Sequence, residues 1–511
     1  MLKTPFSSFY GVVAAETPIA SYIGAKILEQ GGNFVDATIA TSLALAITVP
    51  HLGGLGGDFF ALLRSTDGKV YFINGSGYAP RKLTIDLLLK KGFTEMPSYG
   101  PLSIVVPGMV DALRVLSEKF SNMEWEHIVK YVIEKLKKGF PMTESLARTL
   151  STMKDDLIKD PGSKETYYSV LKNDVARSGD PIMFPNMIKT LELISEDPRI
   201  FYEGEIAESI CNYVQSLGGV LDIEDLKGYH AFFDEPLKLE LENITVFEMP
   251  PNTQGITTLH LLKMLCNTEI GNARSSKRIR VFLENFKVAY WIRDNYVSDP
   301  RDMKVKVHEL LSDKFIDSVA HEVRGMNVSK VEGDTTYFAI ADQEGNIISA
   351  IQSLFYPFGS RVTEPKYGIT LNSRASSFFL KRDHVNSLKP RKRPLHTLSA
   401  MIIEDQNRIL SLGLSGGHFR PQLHAEIFTN IYKYEFEIQK ALDHQRFVWY
   451  PWTKKVDVEE GLDTTGLEGY MINVVPYPSR LGVAAAVEIK SSGVRVGYCD
   501  IRGEGIPIGL V

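Results

Sequence analysis

Apolar positions along the chain follow two different periods, and the change of period divides it. In "ETPIASYIGAKILEQGG", Ile19, Tyr22, Ile23 and Ile27 fall on one helical face. Thr17 can cap this helix, Pro18 suits its first position, and Gly31 and Gly32 end it. A second helix, roughly 34–48, is apolar nearly all round, which predicts burial. The glycine-rich turn "HLGGLGGDFF" follows, then short strands around "FALLRS" and "KVYFING" joined at Asp67-Gly68. From about 108 to 290 the pattern is mainly helical, clearest in "EWEHIVKYVIEKLKKGF". Inside that stretch "LKLELENITVFEMPP" predicts two strands and a proline stop.

From 335 onward the period becomes two. "TYFAIAD" and "NIISAIQSL" alternate about the turn residues Gln343 to Asn346, a hairpin signal. Further strands are predicted around 367–371, 399–404 and 408–414, then a helix near 420–433. Two late strands, "VAAAVEIK" and "GVRVGYCD", close the chain. The most loop-like polar stretch, "RGMNVSKVEGD", separates the helical half from the β-rich half.

Composition narrows the function classes. The 511 residues are 44% hydrophobic and 23% charged, as in an ordinary globular protein, and length alone would suggest about three domains. A net charge of −5 supplies no basic field for nucleic acid or an anionic membrane. Cys211, Cys266 and Cys499 lie too far apart for a disulfide framework or a zinc site and read as buried thiols. The N-terminus lacks a secretory apolar core, and no apolar run approaches the ~18 residues that span a bilayer. The expected setting is the cytoplasm, so the sequons at Asn74 and Asn327 carry little weight.

Nucleotide motifs fail on inspection. "GLGGDFF" has Phe59 where the third glycine of G-x-G-x-x-G belongs, and it follows a helix. "LSGGH" (414–418) resembles an ATPase signature, but no Walker A accompanies it. The 11 histidines show no metal-ligand spacing. What remains is "GDTTYF", which taken alone is an ordinary strand start with β-branched residues.

Its surroundings change that reading. Along nearly its whole length the chain resembles the gamma-glutamyltransferase family. The match begins with "VVAAETPIASYIGAKILEQGGNFVDATIATSLALAITVPHLGGLGGDFF" and continues through "VVPGMVDAL", "KKGFPM" and "GGVLDIEDLKGY". "EMPPNTQG", "GDTTYFAIADQEGN", "KRPLHTLSAMI", "LGLSGGHFR" and the closing "CDIRGEG" follow in order. The resemblance implies an α+β, four-layer αββα sandwich of the N-terminal-nucleophile hydrolase type, with two packed antiparallel sheets. It implies self-cleavage between Asp334 and Thr335. A large, mainly helical piece (1–334) and a small β-rich piece (335–511) would form a heterodimer and together one structural domain. Family members serve glutathione metabolism, and no cofactor is implied.

The chemistry this implies is specific. The Thr335 hydroxyl attacks the Asp334 carbonyl carbon, and water opens the resulting ester. The freed α-amine, with a reference pKa of roughly 7.7–8.0, then takes the proton of its own hydroxyl. The acyl group of an amide moves onto Thr335 and leaves to water or an amine. By resemblance Gly416 and Gly417 supply backbone N–H donors to the oxyanion, Ser353 is a supporting hydroxyl, and Thr336 is a second hydroxyl beside the new terminus.

The substrate half departs from the family. Ser76 in "NGSGYAP" stands where an Arg clamps the glutamyl α-carboxylate, and His396 and Thr397 replace two serines. Phe355, Arg374 and Ser377 replace the residues that hold the α-amine. An arginine there repels an ammonium group, so the pattern argues against an unmodified γ-glutamyl donor. It fits relatives acting on other small acyl amides, such as oxamate amidohydrolase or cephalosporin acylase-like members. Arg374, with His396, would bind a carboxylate or carbonyl of the donor. The alternatives are a structural ion pair for Arg374 and a packing role for His396. A catalytically silent, small-acid-binding relative is the competing reading, and higher oligomers stay open.

Overall fold

The computed structural model describes residues 3–323, 334–451 and 453–511, with His321, Glu322 and Asp334 described in their backbone alone. The polar stretch before 334 and the sequon at Asn327 lie outside the described residues. Two seven-stranded sheets organise the rest, and each takes strands from both sides of residue 335. One runs Phe6–Ser8, Arg495–Cys499, Ala484–Lys490, Arg408–Leu414, Met401–Glu404, Ile244–Glu248, Leu237–Leu241. The other runs Pro507–Gly509, Val12–Ala15, Asp334–Ala341, Ile347–Phe355, Asp58–Arg64, Val70–Gly75, Phe232–Asp234. All the pairings within them are antiparallel.

Alternation along the strands builds the layers, because successive side chains leave opposite faces. In Asp334–Ala341, Phe338 and Ile340 join an outer core with the helices Pro18–Glu29, Phe34–Thr48 and Met109–Phe120. Tyr337, Ala339 and Ala341 face inward, with Val12, Ala14, Phe60, Leu62 and Ile351. The other sheet repeats the pattern. Met401, Ile403, Ala484 and Ala486 meet the helices Gly255–Cys266, Ser276–Tyr296 and Arg420–Tyr432, whereas Ile402, Ala485 and Val487 face inward. The result is helices, sheet, sheet, helices, as the family resemblance implies.

The second helix, Phe34–Thr48, is buried at every position, with Asn33 and Asp36 closing a capping box at its start. On the first helix, Thr17 caps and Pro18 opens as expected, and the predicted face holds at Ile23 and Ile27 but fails at Tyr22. Tyr22 is exposed and Ile19 half-buried, while Ala20, Ile23, Gly24 and Ile27 are buried. Close approach is the reason: a Cβ on Gly24 would lie 2.2 Å from Thr41 Oγ1 of the second helix. The small-residue face therefore turns inward.

Other expectations shift as well. The strand expected at 367–371 reduces to Ile369–Thr370, paired with Thr363–Glu364 outside the main sheets. Strands Phe447–Tyr450, Lys455–Glu459 and Met471–Val475, unforeseen, form a small sheet of their own. Cys266 is half-buried, unlike Cys211 and Cys499, and all three are unbridged. The sequon at Asn74 is buried, its amide bonded to Asn252 Oδ1 at 3.2 Å. Among the described residues no helix is long and apolar enough to cross a membrane.

The hairpin of Asp334–Ala341 and Ile347–Phe355 sits between Val12–Ala15 and Asp58–Arg64. Residues 1–334 expressed alone should therefore be insoluble or lack near-UV circular dichroism, since two central strand edges would lie open. Co-expression with 335–511 should restore soluble, dichroic protein.

Candidate active site

Thr335 opens a central strand, and alternation places it with Tyr337 on the face between the sheets. Pairing of Asp334 with Phe355 and of Thr336 with Gln352 leaves both Ser353 and Leu354 opposite Thr335, a bulge. Thr335 is fully buried, and its Oγ1 donates a long hydrogen bond, 3.4 Å, to Ser353 Oγ. Ser353 Oγ also accepts from the Phe355 amide at 2.8 Å and from Arg374 Nη2 at 3.3 Å. Phe355 holds a left-handed backbone, φ +86°, which is strained for a residue with a Cβ.

Arg374 joins the elements of the site. Its Nε donates to Asp58 Oδ2 at 3.1 Å and its Nη1 to Thr397 Oγ1 at 3.1 Å. The guanidinium carbon lies 4.3 Å from the Phe355 ring centroid. Asp58 Oδ1 accepts from Gly77 N–H at 3.2 Å. Nε2 of His396 sits 2.9 Å from Asp58 Oδ2, in contact but off the hydrogen-bonding direction. His396 Nδ1 accepts from the Leu398 amide at 3.3 Å, which assigns the ring proton to Nε2, toward the carboxylate.

All these groups are sealed from water, and burial sets their charge states. Desolvation lowers Arg374 to about 10, which still leaves it cationic at neutral pH. Desolvation, with Arg374 nearby, lowers His396 to about 4 and keeps it neutral. For Asp58 burial alone would raise the pKa; His396, Arg374 and the Gly77 N–H outweigh it and hold the carboxyl below its usual range. Of the alternatives for Arg374, the ion pair with an acidic neighbour is present, and Asp58 is that neighbour. The expected repulsion by a bare arginine is corrected accordingly: this cation has an anion against it.

The glycine pair lies in the loop after Arg408–Leu414, with φ +145° at Gly416 and +51° at Gly417. Its carbonyls are pinned. Gly416 O accepts from Phe419 N–H at 2.9 Å, Gly417 O from Gln254 Nε2 at 2.9 Å, and His418 O from the Tyr290 hydroxyl. In a trans peptide C=O and N–H point opposite ways, so each pinned carbonyl fixes the direction of the next N–H. The same Gln254 Nε2 donates to Thr397 O at 2.7 Å, and Arg420 donates to that oxygen too. A continuous bonded path thus runs from Thr335 through Ser353, Arg374, Thr397 and Gln254 to Gly417.

Three expected residues are placed differently. Thr336 alternates onto the opposite face, with Phe338, and pairs with Gln352, whose side chain bonds Ser42 on the buried helix. It is not a hydroxyl beside Thr335 Oγ1. Ser377 Oγ lies 2.9 Å from Arg374 O and 3.1 Å from Leu395 O, closing a turn rather than facing Ser353. Ser76 Oγ accepts from Asn252 at 2.9 Å and donates to Gly77 O, one residue removed from the Asp58 contact. Sequence reasoning missed Asp58, Gln254 and Asn252. Asp58 had one legible signal, an acid opening the apolar run "DFFALL". Among the described residues no group of three or more His, Cys, Asp or Glu side chains could hold a metal ion.

Two antiparallel sheets between helical layers, with a threonine heading a central strand into the seam, define an N-terminal-nucleophile hydrolase. The chain belongs to the gamma-glutamyltranspeptidase family, whose profile matches residues 20–510, and it is a self-processing acyl transferase or hydrolase of that class. It is 32% identical to the glutathione hydrolase-like YwrD proenzyme of Bacillus subtilis, over 96% of this chain and 97% of that one. It is 27% identical to the oxamate amidohydrolase proenzyme of Klebsiella pneumoniae, over 98% and 99%. The cephalosporin acylase structure from Bacillus halodurans superposes with a TM-score of 0.91 at 30% identity, covering 99% of this chain and 97% of that one.

Two outcomes test the charge states. Asp58→Asn leaves Arg374 buried and unpaired and should lower stability by roughly 3–5 kcal/mol, read by denaturant unfolding. His396 titrates at about 4 when folded against 6.5 as the reference value. Between these the unfolded chain takes up a proton that the native site refuses, so stability is complete above pH 6.5 and lost as pH falls toward 4. His396→Gln should make that fall of Tm shallower. The slope should persist in part, because burial also depresses His51 to about 3 and His260 to about 4.

Proposed function

We propose that the chain cuts its own Asp334–Thr335 bond and that Thr335, as the new N-terminus, is the acylated nucleophile of an amide hydrolase or acyl transferase. One observation carries this reading. Thr335 Oγ1, at the head of the strand, points into the seam against Ser353 Oγ, which Arg374 holds from the other side. Proenzyme relatives support the processing step.

In the proposed cycle the Thr335 amine takes the proton of its own hydroxyl, and Oγ1 bonds to the acyl carbon. Gly416 and Gly417 N–H groups receive the charge on the carbonyl oxygen. The C–N bond then breaks, the leaving nitrogen takes the proton from the ammonium group, and water or an amine removes the acyl group. Ser353 steadies the hydroxyl. Gln254 acts as a positioning residue, since one carboxamide fixes both the glycine loop and Thr397.

The substrate is a small acyl amide other than an unmodified γ-glutamyl one. Arg374 uses Asp58, Thr397 and Ser353 for three of its five N–H donors, leaving two for an acyl oxygen. Ser76 lacks the charge a glutamyl α-carboxylate needs. Oxamate amidohydrolase and cephalosporin acylase, named among the relatives, act on amides of other acids and fit this direction.

On a denaturing gel, purified protein should give two pieces, the smaller beginning Thr-Thr-Tyr-Phe on N-terminal sequencing. Thr335→Ala should stay whole and inert. Turnover by a chain that stays intact would sink the proposal. Gln254→Met should lower kcat by about 10²-fold, the size of one lost oxyanion donor, with KM moving far less. Glutaryl and oxamyl amides should be cleaved faster than γ-glutamyl ones, and preference for γ-glutamyl would overturn the role given to Arg374.

A further inference from the structure

Tyr337 is a buried phenol that the proposed cycle leaves unused. It stands two residues after Thr335 and is the first inward-facing side chain beyond the bulge, where regular pairing resumes with Ile351 opposite. Its ring crosses the seam and lies against Gly413 on the other sheet. A Cβ on that glycine would fall 2.3, 2.5 and 2.8 Å from three ring carbons, so a side chain there would collide with the ring. Gly413 belongs to the strand Arg408–Leu414, which leads straight into the glycine loop, and Gly416 is three residues further on.

The ring is kept from sliding along the seam, because its hydroxyl is tied to both sheets. The phenol oxygen lies 2.8 Å from Ser349 Oγ on its own sheet and 2.8 Å from Ser411 Oγ on the other. Ser411 spends its one proton on Ile348 O, at 3.0 Å, and so accepts from the phenol; Ser349 then donates to the phenol oxygen. The hydroxyls therefore run in one direction, from Ser349 through Tyr337 and Ser411 to the Ile348 carbonyl. Ser349, Tyr337 and Ser411 are all buried, where a bond left unmade is costly. Burial also raises the phenol above its ordinary value, so it keeps the proton that this chain needs.

We propose that Tyr337 is a positioning residue for the reaction: its ring, seated on Gly413, is the spacer that sets how far Thr335 stands from Gly416 and Gly417. The inference rests on the reading of Thr335 as nucleophile and of the glycine loop as the oxyanion site, and adds the group that fixes the distance between them. Thr335 lies two residues from this contact on one sheet, and Gly416 three residues from it on the other. Levers so short pass a shift of the ring to both ends. A working constellation has to be held to within about 0.5 Å, and a 1 Å misplacement can cost about 10²-fold in rate. The ring seats on the protein rather than on the substrate, so its loss should change turnover more than binding.

The test uses processed enzyme and its best acyl amide. Tyr337→Leu should lower kcat by about tenfold or more with KM within about threefold, and Tyr337→Phe, which keeps the ring, should restore most of that loss. Gly413→Ala should bring a similar loss by pressing on the same ring from the other side. Tyr337→Leu makes room for that methyl group, so the double variant should lose clearly less than the product of the two single losses. An unchanged kcat in Tyr337→Leu, a loss carried by KM, or single losses that simply multiply overturns the proposal. Should Tyr337→Leu fail to fold, Gly413→Ala decides, and an unchanged kcat there overturns it. Crystal structures of the wild-type and Tyr337→Leu proteins need no turnover: the glycine loop should move by more than about 0.5 Å relative to residue 335, and an unmoved loop overturns the proposal. If the loop moves while wild-type protein turns over no amide, the nucleophile reading fails and the spacing role stands.

Discussion

Everything in the seam between the two sheets depends on the pairing of Asp58 with Arg374. Both side chains are fully buried, and either alone would impose several kcal/mol of uncompensated charge on the core. Paired, they do more than cancel. The carboxylate ties together the Gly77 turn and the neutral His396. The guanidinium reaches in one plane to Thr397 and Ser353 and rests on Phe355. An arginine is suited to this because its donors fan out from a rigid fork, which a lysine lacks.

That fork explains how residues from distant parts of the chain act together. Asp58, Ser353 and Thr335 stand at the same end of three adjacent strands, all on the face between the sheets. The opposite wall is supplied by the segment leading to Met401–Glu404 and by the glycine loop, which Gln254 fastens together. Neither sheet could supply both walls alone. The packing of one sheet on the other, driven by the inward apolar set from Val12 to Cys499, therefore also sets the distance between the proposed nucleophile and its proposed oxyanion donors.

Much of this was legible in the sequence where the cause was local. The capped start at Thr17-Pro18, the all-round apolar helix and the alternation after 335 depend on neighbours within a few residues, and they emerged nearly as read. Long-range causes were not legible. Tyr22 looked like a core residue until the close approach of two helices turned Gly24 inward instead. Thr336 was expected as a second hydroxyl beside the new terminus, yet the pleat of one strand sends the two side chains to opposite faces. Arg374 could be recognised as out of place for an ammonium site, but its partner lies 316 positions away. No local pattern announces such a pair.

The arrangement also assigns two proposed tasks to different parts of the site. The proposed chemistry needs a threonine at the head of the strand, a hydroxyl across the bulge and two N–H groups, of which that of Gly417 is fixed by the pinned Gly416 carbonyl. All of these are backbone-anchored or one side chain deep. In the proposed function, choice of acyl group falls instead to the plane of Arg374. Arg374 and the glycine loop are joined at Thr397, which Arg374 contacts through its hydroxyl and Gln254 through its carbonyl. The proposed mechanism is thus held largely by the backbone, and the proposed choice of acyl group by the side chains around Arg374.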